Sequence, residues 1–134
     1  MSARRLNIGI RTATERFTAL REALRRVAQG GDRTPREPEL YFESVEELRR
    51  ILTDKRLQLL MAISRHRPLS VNELARLVRR DYKNVSTDIA LLERLGLVCL
   101  KGGSGKGRAQ MPTVCYDEIR VTIDLRDPQE ARAT

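Results

Sequence analysis

The side chains best equipped for chemistry fall in one short stretch: Lys83, Asn84, Ser86 and Thr87, with Ala90 one turn further on. They contain no nucleophile beside a base. Their donors and acceptors suit the edges of DNA bases instead. Asn84 can pair bidentately with adenine, Lys83 can donate to guanine acceptors, and Ser86 or Thr87 can bond to a base or a phosphate. Ala90 offers a methyl group against a thymine methyl, or close approach. This spacing points to base-edge recognition rather than bond making.

Such residues need a rigid carrier. Val85, Ile89 and Leu92, flanked by Leu91 and Leu95, form an apolar row of period 3.6, so a helix is expected over 82–95, ending at Gly96. Asp88 lies in its first turns and is expected only to favour the helix dipole. Upstream, Ser70 and Glu73 make a capping box that opens a short helix through Val71, Leu74, Ala75, Leu77 and Val78. Arg79, Arg80 and Asp81 form the turn. The chain from 70 to 95 therefore reads helix, tight turn, helix. Ser70, Arg79, Arg80, Tyr82 and Arg94 are placed to meet the DNA backbone.

A third helix is expected between Thr53 and Pro68, with Leu57, Leu60, Met61 and Ile63 on its core face. His66, the single histidine, sits in its last turn without a catalytic constellation. Beyond Gly96 the apolar run 97–100, the basic glycine-rich stretch 101–108 and the extended stretch 110–116 predict a β-hairpin, with Pro112 at an edge or bulge. Residues 101–112 carry three basic side chains and no acidic one. Lys101, Lys106 and Arg108 would make this hairpin a charged wing over the backbone or minor groove. A nucleotide-binding loop is rejected, because Gly107 follows Lys106 where Ser or Thr is needed and no helix follows.

Around this block the N-terminal part alternates at Leu6, Ile8 and Ile10, predicting a strand. Thr12 and Glu15 then cap a basic helix over 13–28 with an apolar stripe of Phe17, Leu20, Leu24 and Val27. That stripe suits packing or dimerisation better than a membrane surface. A proline-bearing linker, a short strand at 39–43 and a capped helix from Ser44 follow. Ile119, Val121, Ile123 and Leu125 alternate strictly and predict a strand over 119–125. The fold class is therefore α+β: a winged helix-turn-helix with a β-hairpin wing, an N-terminal strand-helix extension and a C-terminal strand. The expected division is an N-terminal arm at 1–38, a DNA-binding domain at 39–126 and a frayed tail at 127–134.

Composition agrees with a polyanionic partner. The 134 residues carry a net charge of +8, and an aromatic content of 4% without tryptophan implies a modest aliphatic core. Two cysteines, Cys99 and Cys115, are too few for a disulfide scaffold and lack zinc spacing, so a reduced cytoplasmic setting is expected. They fall on opposite arms of the hairpin, where they can face each other. Small buried hydrophobes are the ordinary role of such residues and a redox switch the rarer one. There is no apolar run of about 18 residues to span a membrane. No metal site, cofactor site or catalytic constellation is expected, so the chain reads as a binding protein and not an enzyme.

The runs Ser70-Val71-Asn72-Glu73-Leu74-Ala75, Asn84-Val85-Ser86-Thr87-Asp88 and Leu91-Leu92-Glu93-Arg94-Leu95-Gly96-Leu97-Val98 resemble winged-helix regulators of the ArsR and MarR type. With Phe42-Glu43-Ser44 and Cys115-Tyr116-Asp117-Glu118-Ile119, the chain looks most like a prokaryotic branch of predicted transcriptional regulators, sometimes found beside toxin genes. The resemblance covers about residues 40–125 and implies a dimeric, DNA-binding repressor. The Cys-x-Cys and histidine ligands of metal-sensing members are missing. The alternative expectation is an antitoxin-like interaction module that binds a partner protein such as a toxin through its arms and autoregulates.

Overall fold

The computed structural model describes residues 4–30, 38–102 and 109–126. Its described residues form five helices and two small sheets, so the α+β expectation holds at that level. They divide into two compact units. One is built from Leu52–Asp117 with Arg4, the other from Arg5–Ile51 and the chain from Glu118 onward.

The second unit is a three-stranded parallel sheet. Strand β1 (Arg5–Ile10) lies between β2 (Glu39–Phe42) and β5 (Glu118–Thr122). Parallel neighbours cannot be joined by a tight turn, and helix α1 (Ala13–Ala28) supplies part of the crossover from β1 to β2. The register puts Leu6 beside Ile119, Ile8 beside Leu40 and Val121, and Ile10 beside Phe42. Leu6, Ile8 and Phe42 are buried, as period-2 alternation requires of one sheet face. On the opposite face a Cβ at Gly9 would stand 2.9 Å from a ring carbon of Tyr41. The Arg11 guanidinium caps that ring at 4.6 Å. Gly9→Val is therefore expected to cost about 2 kcal/mol, the overpacking penalty of a filled site, read as a lower urea midpoint. Helix α2 (Val45–Ile51) packs on β2.

One expectation is corrected here. The strand expected over 119–125 stops at Thr122, where the ladder with β1 ends at the pair Gly9–Thr122, and Leu125 falls past the end of β1 at Ile10. The two compact units part between residues 4 and 5, 51 and 52, and 117 and 118. Strand β1 recruits β2 and β5 from the segment assigned to the DNA-binding domain, so the sheet unites both ends of that segment with the N-terminal arm. The tail at 127–134 lies outside the described residues.

The first unit contains α3 (Asp54–His66), α4 (Val71–Val78), α5 (Tyr82–Arg94) and the antiparallel hairpin β3 (Val98–Lys101) and β4 (Met111–Val114). Each helix starts on a side-chain cap. Thr53 Oγ1 accepts from Arg56 N–H at 3.3 Å, Ser70 Oγ from Glu73 N–H at 3.0 Å, and the Asp81 carboxylate from Lys83 N–H at 3.2 Å. Leu59, Leu60, Ile63, Leu74, Ala75, Val85, Ile89, Leu92, Leu97 and Val98 form the aliphatic core. Pro112, paired with Leu100 in the two-stranded hairpin, is also fully buried.

Candidate nucleic-acid interface

Helix α5 stops by a Schellman closure. Gly96 adopts φ 81°, its N–H donates to Glu93 O at 3.0 Å, and Leu97 N–H donates to Leu92 O at 2.9 Å. The turn before α5 is closed in the same way with a non-glycine residue. Arg79 takes φ 55° while its N–H donates to Arg76 O and that of Arg80 to Ala75 O. A side chain in the left-handed region costs about 1 kcal/mol, so Arg79 is kept against a local preference.

Val85, Ile89 and Leu92 root α5 in the core. At about 100° per residue the opposite side carries Lys83, Thr87, Ala90 and Arg94, with Ser86 on the flank towards Tyr82 and Asn84 on the flank towards Asp88. Lys83, Asn84, Thr87, Ala90 and Arg94 are exposed and Ser86 is half-buried. The Thr87 hydroxyl donates to Lys83 O at 2.9 Å, so while that bond holds it offers only acceptor lone pairs outward. Ser70, Tyr82, Ser86 and Ala90 come together in one groove of about 900 Å³, closed on the far side by Leu100, Ala109 and Gln110. Among the described residues Glu93 is the only charged one lining it, and it disfavours a phosphate beside it. Asn72 and Gln110, polar liners of this groove, were not singled out by the sequence. They are brought there by the helix pair and the hairpin, at a sequence separation that leaves no local signal.

Asp88 does more than favour the helix dipole. Its Oδ1 accepts from Arg56 Nε at 3.1 Å and its Oδ2 from Arg80 Nη2 at 2.8 Å. All three side chains are largely buried, at 13%, 21% and 19% exposure. One carboxylate therefore ties α5 to the first turn of α3 and to the turn after α4. Arg80, expected at the DNA backbone, is committed inward to this clamp, and its buried Nη1 has no hydrogen-bond partner among the described residues. The reason is geometric: the left-handed turn at Arg79 aims the next side chain back at the α5 carboxylate.

Arg79, Tyr82, Arg94 and Lys101 are exposed. The Ser70 hydroxyl is half-buried and already accepts the cap bond from Glu73. Lys106 and Arg108 lie outside the described residues. Among the described residues no three His, Cys, Asp or Glu side chains converge as metal ligands, and no helix is long and apolar enough to cross a membrane.

A family model, HVO_A0114, matches residues 51–121, from the last residue of α2 into β5. The chain belongs to the HVO_A0114 family. A comparison with curated proteins found no match. In this HVO_A0114 member the matched segment contains the whole α3–β4 block, including the clamp, the exposed row of α5 and the groove.

Proposed function

We propose that this protein is a sequence-specific, double-stranded DNA-binding transcriptional regulator of the winged helix-turn-helix type, acting as a dimeric repressor. The observation that supports this best is α5 itself: a helix rooted by three buried residues and a buried ion triad, presenting an exposed, mostly uncharged polar row. A clamped helix with outward donors and acceptors is what base readout in a major groove requires. Lys83, Asn84, Ser86, Thr87 and Ala90 face the bases. Arg79, Tyr82, Arg94 and Lys101 meet phosphates together with Ser70, and Lys106 and Arg108, outside the described residues, are assigned the same role. Arg80 supports the turn instead.

The dimer is proposed from α1. None of its residues is buried, and Phe17, Leu20, Leu24 and Val27 are 62%, 56%, 61% and 51% exposed. A contiguous apolar stripe of this kind marks an interaction surface. A heterologous partner, such as a toxin masking the same stripe, is the competing occupant.

The test is a mobility-shift and footprinting series on the chain's own promoter with competitor DNA. Protection of two half-sites about 34 Å apart supports the reading, and no preference over competitor at moderate salt overturns it. Two substitutions sharpen it. Asn84→Ala is expected to relax preference at one base by about 1–3 kcal/mol and leave the salt slope alone. Arg79→Gly is expected to weaken every sequence alike and flatten the salt slope by about one. It should at the same time raise the unfolding midpoint, because glycine relieves the left-handed turn. A stabilised but weaker binder separates a phosphate contact from a fold effect.

A further inference from the structure

The hairpin brings two thiols together. Cys115 N–H donates to Leu97 O at 3.1 Å, and Cys99 pairs with Thr113, so alternation puts both cysteines diagonally on one face. Their sulfurs are 2.7 Å apart, about 0.7 Å more than a covalent S–S bond. The two are not equivalent. Cys99 is exposed and Cys115 is half-buried. Burial, and then the neighbouring Cys99, push the Cys115 thiol up to about 11, against the opposing charges of Arg4 and Lys101. An oxidant therefore meets Cys99 first, while Cys115 waits as a thiol within bonding reach. Neither behaves as the small buried hydrophobe that is the ordinary role of such residues.

We propose that Cys99 and Cys115 form a reversible dithiol–disulfide modification site that takes a hydroperoxide as its oxidant and a small thiol as its reductant. In the first step the Cys99 thiolate attacks an oxygen of hydrogen peroxide. The O–O bond breaks, the departing hydroxide takes up the proton that the Cys99 thiol gave up on ionising and leaves as water, and Cys99 becomes a sulfenic acid. In the second the Cys115 sulfur attacks the Cys99 sulfur. The S–O bond breaks, and the departing hydroxide takes the Cys115 proton away as water. Two thiols are oxidised to one disulfide while one hydrogen peroxide is reduced to two waters. Two equivalents of small thiol return both cysteines by exchange. The site stands independently of the DNA-binding reading.

The test uses the reduced full chain and hydrogen peroxide. Both thiols should disappear from a thiol-reactive dye assay, with a mass loss of about 2 Da. A non-reducing digest should link tryptic peptides 95–101 and 109–120 within one chain, and dithiothreitol should reverse the link. Cys115→Ser should stop at a Cys99 sulfenic acid that dimedone traps. Cys99→Ser should react with peroxide about tenfold more slowly than the wild type. A wild-type chain in which Cys99 proceeds to sulfinic acid with Cys115 still free, or in which peroxide links only separate chains, overturns the proposal. Both of those readouts come from the wild type, so a misfolded variant does not obscure them.

Discussion

Asp88→Ala is expected to destabilise the protein by about 3 kcal/mol, the usual consequence of removing one partner from a buried ion pair. The substitution deletes more than two hydrogen bonds. It removes the carboxylate that both the Arg56 and Arg80 guanidiniums, each about four-fifths buried, donate to. Arg80 already has one buried nitrogen without a partner among the described residues, so losing Asp88 strands most of that side chain's polar surface. Urea unfolding of wild type, Asp88→Ala and the triple variant Arg56→Met/Arg80→Met/Asp88→Leu measures the effect. The triple variant should recover most of the loss, because an apolar replacement of a whole buried triad avoids the desolvation of its charges. A loss below about 1 kcal/mol for Asp88→Ala would mean that the triad is solvated and does not hold α5.

The clamp also marks where the sequence stopped being legible. Local devices were readable because their partners are three residues apart. Thr12 with Glu15, Ser44 with Glu47 and Ser70 with Glu73 close at 3.2, 3.1 and 3.0 Å. The helix 82–95 was readable from its buried row, ending within one residue of Arg94. In the sequence Asp88 shows only as a charge favouring the helix dipole, because Arg56 lies 32 residues away and no periodicity links them. The same limit applies to the sheet. Alternation at Leu6, Ile8 and Ile10 identifies a strand, but nothing in it says that Arg5 pairs with Glu118, 113 residues away. The end of β5 escapes the sequence for a related reason: alternation continues to Leu125, whereas the ladder ends at the pair Gly9–Thr122. The facing cysteines were anticipated as a possibility of the hairpin. The asymmetry between an exposed Cys99 and a half-buried Cys115 depends on packing that the sequence does not express.

Phe17→Glu combined with Leu24→Glu is expected to convert the proposed dimer to a monomer and lower operator affinity about a hundredfold, since the two half-sites no longer bind as a linked pair. The stripe 17, 20, 24, 27 has the three-four-three spacing of a short helix-pairing seam. At their exposures in the monomer these four side chains offer on the order of 400 Å² per copy, about half of what one partner contributes to a standard interface. Val121 and Ile123, also about half exposed, lie in the same unit and can add to it. Charge selects the orientation of the pair. In a parallel pairing Arg16 would flank Arg21 of the second copy, like against like. An antiparallel two-fold sets Phe17 against Val27 and Leu20 against Leu24, with Arg16 beside Ala23. The two arms of the measurement are light scattering for mass and circular dichroism for fold. Because no α1 residue is buried within the chain, the far-ultraviolet spectrum should change little while the mass halves. A double variant that remains dimeric removes α1 from the interface. A wild-type chain that is monomeric alone, but acquires operator affinity with a neighbour-encoded protein, transfers the stripe to that partner.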